Sequence, residues 1–298
     1  MKIIITGSLG HISKPLTEEL VQKGHQVTVI SSKADKQQEI EALGAAAAIG
    51  SVEDVDFLTA TFTGADAVYT MVPPTNFFDP NFDLTTHCSK IGNNYAQAIE
   101  QSGVKRVVHL SSIGAHMEKD SGLILAHRTV EVILDKLPGD VTITFIRPVG
   151  FYYNLLGFIP AIKNQGVISA NYGADELLVW VSPIDIAAAI AEEFETSFTS
   201  RKVRYAASDE LTGHETAKVL GEAIGIPDLQ WILVSDEERL RVMKAVGLNP
   251  TIAEGLVQMF ASQYNGSLME DYYRHKPALG KVKIADFAKE FAAVYHQK

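Results

Sequence analysis

The sequence predicts an α/β chain built on a doubly wound parallel sheet, and three observations carry that prediction. Short β-branched runs alternate with helical segments through the first half of the 298 residues. A glycine-spaced loop, Thr6-Gly7-Ser8-Leu9-Gly10, follows the first of those runs directly. The composition is globular, 46% hydrophobic and 21% charged, and a chain of this length buries a core without disulfide or metal staples. Alternation of this kind cannot be closed by hairpins. It needs parallel strands joined by right-handed crossovers, and such sheets hold their ligands beyond the carboxyl ends of the strands.

Taken in order, Lys2 to Thr6 reads as a buried strand. Ile12 to Lys23 reads as a helix with Ile12, Leu16 and Leu20 at helical spacing, stopped by Gly24. Strands follow at Gln26 to Ile30, Ala46 to Ile49, Ala67 to Val72, Arg106 to Ser111 and Val141 to Arg147. Helices between them are expected at Asp35 to Leu43, Asp54 to Phe62, Asp83 to Gln101 and Gly122 to Leu137. Residues 1–150 then form one sheet domain. Leu177 to Val181 is a further strand, Pro183 to Glu195 a helix with proline in its first turn, and Lys202 to Ala206 a last strand, so 182–207 returns to the sheet. Residues 151–181 and 208–298 are expected to form a smaller, mostly helical C-terminal substrate lobe, with helices at His214 to Gly225, Glu237 to Gly247, Thr251 to Gln263 and Ile284 to Tyr295.

The bulk numbers exclude several classes. A net charge of −10 repels phosphate backbones and argues against a nucleic-acid partner. Apolar stretches are broken by Pro, Gly, Asp or Asn short of a membrane span, and the strand at Ile3 leaves no room for a signal peptide. The expected compartment is cytoplasmic. The single cysteine, Cys88, precludes an intramolecular disulfide and reads as a buried, inert thiol, and no metal-ligand spacing is present.

The loop after the first strand continues His11-Ile12-Ser13, giving Gly-x-x-Gly-x-x-Ser between a strand and a helix. Gly7 permits the turn and Gly10 lets the backbone approach a pyrophosphate. The helix N-terminus from about His11 offers unpaired N–H groups, and Ser13 is small enough for helix–strand packing. That context, which the motif requires, predicts a Rossmann-type dinucleotide site at Gly7, Ser8, Leu9, Gly10, His11 and Ile12. The second strand ends Ser31-Ser32-Lys33 with no acid until Asp35. Two hydroxyls and an ammonium suit a 2′-phosphate, so NADP(H) is the expected cofactor, with NAD(H) as the alternative. Ser51 and Val52 would flank the adenine, and Met71, Val72 and Pro73 the ribose and nicotinamide side. Ser111 and Pro148 stand at the ends of the next two strands.

Short-chain dehydrogenases pair a Tyr and a Lys four residues apart on the helix after Ser111; here those positions are Leu123 and His127. The chain resembles the NmrA-like family of atypical short-chain dehydrogenases/reductases, and within it the NADPH quinone reductase and triphenylmethane reductase subgroup. The likeness rests on Gly7-x-x-Gly10, Gly64-Ala65-Asp66-Ala67-Val68, Ser102 to Val108, Leu125-Ala126-His127 with Glu131, Arg147-Pro148 followed by Phe151 and Asn154, and Pro183 to Ala187. It covers roughly residues 1 to 195. It implies hydride delivery to a quinone-like or other small conjugated aromatic acceptor, chemistry that the cofactor carries. His127 would then contact the ribose or nicotinamide, or supply a proton.

Other residues keep two readings. Phe77, Phe78, Phe151, Tyr152 and Tyr153 line an aromatic pocket or fill the core between lobes. Glu131 orients the imidazole or decorates the surface. His87 and His116 read as solvated, Asn154 as fixing the crossing backbone, Asp185 as a helix cap, and Glu237, Glu238, Arg239 and Arg241 as a solvated face. A cofactor-binding redox sensor that regulates a protein partner is the competing function, and a homodimer is also open. A nucleotide-sugar epimerase, which needs the missing Tyr base, ranks last.

Overall fold

The computed structural model describes residues 1–197 and 200–297. Phe198, Thr199 and Lys298, which fall within the ranges read above as returning to the sheet and as lobe, lie outside the described residues. The elements of the sheet half are β1 (Lys2–Ile5), α1 (Ser13–Gln22), β2 (Gln26–Ser31), α2 (Gln37–Ala42), β3 (Ala46–Ile49), α3 (Val55–Phe62), β4 (Ala67–Met71), α4 (Leu84–Ser102), β5 (Arg106–Leu110), α5 (Ile124–Leu134) and β6 (Thr142–Pro148). Then come β7 (Gly150–Phe151), α6 (Ile159–Gln165), β8 (Val167–Ala170), β9 (Leu177–Val181), α7 (Pro183–Glu195), β10 (Lys202–Ala206), β11 (Asp209–Thr212) and α8 (Gly213–Ile224). The chain ends with β12 (Gln230–Leu233), α9 (Asp236–Ala245), α10 (Pro250–Tyr264), α11 (Glu270–Arg274) and α12 (Ile284–His296).

Seven parallel strands form one sheet in the order β10-β6-β5-β4-β1-β2-β3. The order reverses between β1 and β4, and a crevice opens there at their carboxyl ends. Alternation of side chains sorts the core into two layers. Ile3, Ile5, Leu16, Val108, Ile186 and Ile190 pack on the face covered by α1 and α7. Ile4, Leu58, Val68, Tyr95, Val107 and Val130 pack on the face covered by α3, α4 and α5. Local sequence sets the helix limits. Asp83 caps α4 by accepting from Thr86 N, and Gly103, at φ +76°, ends it with a left-handed turn.

A third core joins Tyr152, Phe158, Trp180, Leu220, Trp231, Phe287 and Phe291. Its helices match the expected ones, but two small sheets, β11-β9-β7 and β12-β8, run among them. Tyr152 belongs to this core, its ring stacked on Phe287 at 5.5 Å. Asn154 is exposed rather than tied to the backbone.

Asp185 is not the cap of α7. Ser182 fills that role, accepting from Ile184 N. The Asp185 carboxylate instead accepts from Ser208 Oγ (2.6 Å), Lys281 N and Val282 N (3.0 Å each), pinning the segment before α12 to the sheet half. Arg239 also departs from the expected solvated face. Its guanidinium turns inward over the Phe158 ring (5.6 Å) and donates to the Ser169 carbonyl. Among the described residues no helix is long and apolar enough to cross a membrane.

Candidate functional site

The crevice begins at the glycine loop. Gly7 has φ +90°, and a Cβ there would stand 2.6 Å from Ser13 Oγ, which donates to the Thr6 carbonyl at 2.8 Å. At Gly10 a Cβ would press on the Gly7 carbonyl at 3.2 Å. Ser8 holds a left-handed φ of 54°, a strained choice for a non-glycine residue. Two bonds compensate: Ser8 N donates to the Ile30 carbonyl at 3.0 Å and Ser8 Oγ to Ser31 Oγ at 2.9 Å. The helix that follows has no side-chain cap and no acid in its first turn, so its N–H end favours an anion. Leu9 is half-buried, Ile12 buried, and His11 exposed with its ring stacked on Tyr153 at 5.0 Å. Phe151 adds to that stack, also 5.0 Å from Tyr153. Phe77 is half-buried and Phe78 exposed.

At the end of β2, Ser31 is buried and its hydroxyl accepts from Lys33 N at 3.2 Å, so it shapes the loop instead of facing solvent. Ser32 and Lys33 are exposed. Ser51, beyond β3, is exposed and accepts from Glu53 N, and the carbonyl of half-buried Val52 accepts from Asn94 Nδ2. Met71, Val72 and Pro73 are half-buried at the end of β4, with the Met71 carbonyl fixed by Tyr95 OH at 2.8 Å. Leu123 lines a groove of about 570 Å³ with Phe82, Leu84, Ile252 and Val257.

The ends of β5 and β6 carry a charge network. Ser111 is buried and its hydroxyl donates to Glu131 Oε1 at 2.5 Å. Arg147 donates through Nε to Glu131 Oε1 (2.9 Å) and through Nη2 to Oε2 (2.6 Å). Its Nη1 reaches Asp271 Oδ2 at 3.2 Å, and Tyr205 OH donates to the same oxygen at 2.6 Å. Burial works against the Arg147 charge, but the Glu131 bonds more than offset it and raise its pKa. The surface reading of Glu131 is therefore replaced: it is buried and paired with Arg147, and its pull on His127 is electrostatic, with no hydrogen bond between the two side chains. Pro148 ends β6 buried, its carbonyl accepting from Ile113 N at 2.9 Å.

His127 lies one turn before Glu131, half-buried, with Nδ1 sealed from solvent and unpartnered. Burial lowers its pKa against the opposing pull of Glu131, so the imidazole is neutral at pH 7. His87 and His116 are likewise half-buried rather than solvated, each with one sealed nitrogen and a pKa lowered by burial. Cys88 is buried and its thiol is pushed up to about 11, as befits an inert core residue. No metal-binding cluster is found among the described residues.

Sequence reasoning missed Arg147 as the counter-ion of Glu131. A signal existed: an arginine inside an otherwise apolar strand needs a buried partner. Asp271 and Tyr205 gave none, being distant in sequence and surrounded by ordinary surface patterns.

A sheet that reverses beside a glycine loop and an uncapped helix is the architecture of a dinucleotide-binding protein. The chain belongs to the NAD(P)H-binding family, whose model matches residues 7–196. It is 23% identical over 299 residues to an NAD(P)H azoreductase of Xenophilus azovorans, covering 98% of this chain and 99% of that protein. It shares its fold with an NADPH-dependent quinone oxidoreductase of Escherichia coli in complex with NADPH (TM-score 0.79, 21% identity, 97% and 99% of the two chains). A triphenylmethane reductase of Citrobacter sp., complexed with NADP(H), superposes with a TM-score of 0.76 at 19% identity over 97% and 99% of the chains.

Proposed function

We propose that this protein is a cytoplasmic NADPH-dependent reductase of quinone-like, azo or other conjugated aromatic acceptors, using NAD(H) less well. What supports the reading is a strand-end loop shaped for a pyrophosphate, together with Leu123 and a neutral His127 at the two positions of the Tyr–Lys pair. Gly7 to Ile12 would hold the pyrophosphate, since any side chain at Gly7 would strike Ser13. Exposed Ser32 and Lys33 would hold the 2′-phosphate, with Ser51 and Val52 by the adenine. Met71, Val72, Pro73, Ser111 and Pro148 frame the inner end. The dinucleotide, when bound, supplies a hydride.

The chain's own residues do the rest. His127 offers one N–H to the acceptor, and the apolar groove beside Leu123 and Phe82 suits a flat ring system. Residues 151–181 and 208–298 serve as the acceptor lobe. Because His127 is held neutral, it polarises the acceptor by hydrogen bonding and leaves the proton to water. The names of the azoreductase, quinone oxidoreductase and triphenylmethane reductase relatives support this class of acceptor.

The test is cofactor oxidation by the pure protein, followed by nicotinamide absorbance, against a panel of quinones and azo dyes. Saturable turnover, faster with NADPH than NADH and about tenfold slower in His127→Ala, is expected. Tight NADPH binding without turnover on any acceptor would overturn the reductase reading in favour of a sensor.

A further inference from the structure

A neutral imidazole has a single N–H, and the nitrogen that carries it decides whether His127 can donate into the crevice. Nδ1 of His127 is sealed and unpartnered, so the remaining exposure of the ring leaves Nε2 as its open nitrogen. Glu131 makes no hydrogen bond to His127; its oxygens accept from Ser111 and Arg147 instead.

A second imidazole lies beneath. His109 on β5 is fully buried, and its Nδ1 is 2.9 Å from Thr70 Oγ1 on β4. Its Nε2 is sealed without a partner. Val107 and Val68, two residues before His109 and Thr70, belong to the core layer under α4 and α5, and Phe145, edge-on to His109 at 6.2 Å, belongs to it too. His109 therefore points to the side from which α5 brings His127. The two rings are near enough that charge on His127 disfavours protonation of His109.

Hydrogen-bond accounting orders the donors. If His109 Nδ1–H donated to Thr70, the Thr70 hydroxyl hydrogen would be buried with no acceptor. If Thr70 O–H donates to Nδ1, the proton of His109 resides on Nε2. One donor is then unmet in this region, His109 Nε2–H, and one acceptor, His127 Nδ1.

We propose that His109 is a positioning residue: the Thr70–His109 pair directs an Nε2–H toward the sealed Nδ1 of His127, through a single buried water, and so holds His127 in the tautomer whose Nε2–H faces the crevice. The proposal rests on the reductase reading for its catalytic meaning, but the tautomer is a property of the chain alone. A bridging water would satisfy both unmatched polar atoms at once.

The experiment is long-range ¹H–¹⁵N correlation spectroscopy of the histidine-labelled chain without cofactor at pH 7.5, with His127 and His109 assigned by single substitution. In the wild type both rings should be Nε2–H tautomers, with His127 Nδ1 shifted as a hydrogen-bond acceptor. Thr70→Val and His109→Phe should return His127 Nδ1 to the shift of a free acceptor and introduce the other tautomer. His109→Gln, which keeps a terminal N–H donor, should preserve the wild-type pattern. In turnover, Thr70→Val should lower kcat about tenfold with the KM for NADPH unchanged. An Nδ1–H tautomer at His127 in the wild type, or an unchanged His127 spectrum in Thr70→Val, would overturn the proposal. Absence of turnover in the wild type would overturn the reductase reading alone, since the spectra decide the tautomer either way.

Discussion

Replacing Arg147 with Met tests whether the network at the ends of β5 and β6 holds the molecule together. The substitution preserves the apolar stem but leaves the Glu131 carboxylate, 8% exposed, with only the Ser111 hydroxyl as a donor. Four bonds vanish: the paired contacts to Glu131 at 2.9 and 2.6 Å, the bond to Asp271 at 3.2 Å and a longer one to Tyr205 OH at 3.4 Å. Removing one partner of a buried ion pair costs about 3–5 kcal/mol, because the other charge stays desolvated. For a chain of this size that is a fall in melting temperature on the order of 5–8 °C. The double substitution Glu131→Met/Arg147→Met removes both charges and should recover most of the loss. Urea and thermal denaturation followed by circular dichroism measure Arg147→Met, Glu131→Met and the double variant. A loss under about 1 kcal/mol in Arg147→Met, or a double variant as unstable as the two single effects added, would show that the pair is not coupled as described.

Two further outcomes follow from the same geometry. Lys33→Ala should weaken NADPH binding about tenfold, the loss of one charge-assisted hydrogen bond at an exposed site, and leave NADH binding unchanged; fluorescence titration with both cofactors checks it, and equal weakening of the two would remove Lys33 from the 2′-phosphate site. Stability should fall as pH drops from 6.5 toward 4.5. Burial lowers the His109 pKa to about 3 and lowers those of His87, His116 and His127, whereas the unfolded chain protonates each near pH 6.5. The unfolded state then holds more protons, so His109 alone contributes a slope of about 1.4 kcal/mol per pH unit in that window. His109→Gln should flatten the slope of denaturation midpoint against pH by that one proton, and a wild-type stability that is level from pH 7 to 5 would contradict the buried neutral rings.

The sheet half was legible because its signals are local. β3, α7 and β10 begin and end where the residue pattern places them, since each is bounded by Gly, Pro or polar residues. The glycine loop was legible for the same reason: turn, close approach and helix start are all consequences of adjacent residues. The short strands of the lobe were not. β11 reads Asp209-Glu210-Leu211-Thr212, with no apolar alternation, and becomes a strand by pairing with β9. The roles of Glu131 and Asp185 were missed in a related way. Each had a plausible partner nearby in sequence, yet each is satisfied by groups that only the fold brings near: Arg147 on β6, and the backbone at Lys281 and Val282. Carboxylates within helices follow tertiary donors, and the sequence around them carries no trace of which donor prevails.

The balance of charge at the inner end of the crevice argues for one direction of chemistry. Glu131 is paired with Arg147 there, Arg147 also reaches the Asp271 carboxylate at 3.2 Å, and burial lowers the His127 pKa so that its imidazole is neutral at pH 7. Leu123 occupies the position where a tyrosine would exchange a proton with a substrate hydroxyl. Oxidation of an alcohol requires a base that removes that proton as the hydride leaves, and in the proposed Nε2–H tautomer His127 would present a donor, not a lone pair, to the crevice. Reduction of a conjugated acceptor requires less of the protein. The acceptor is already electrophilic, one hydrogen bond from a neutral imidazole stabilises the charge that develops, and water can deliver the proton afterwards. On the proposed reading, in which His127 is an oriented donor, the site would be better matched to acceptor reduction than to alcohol oxidation, and the absence of the Tyr–Lys pair agrees with that direction.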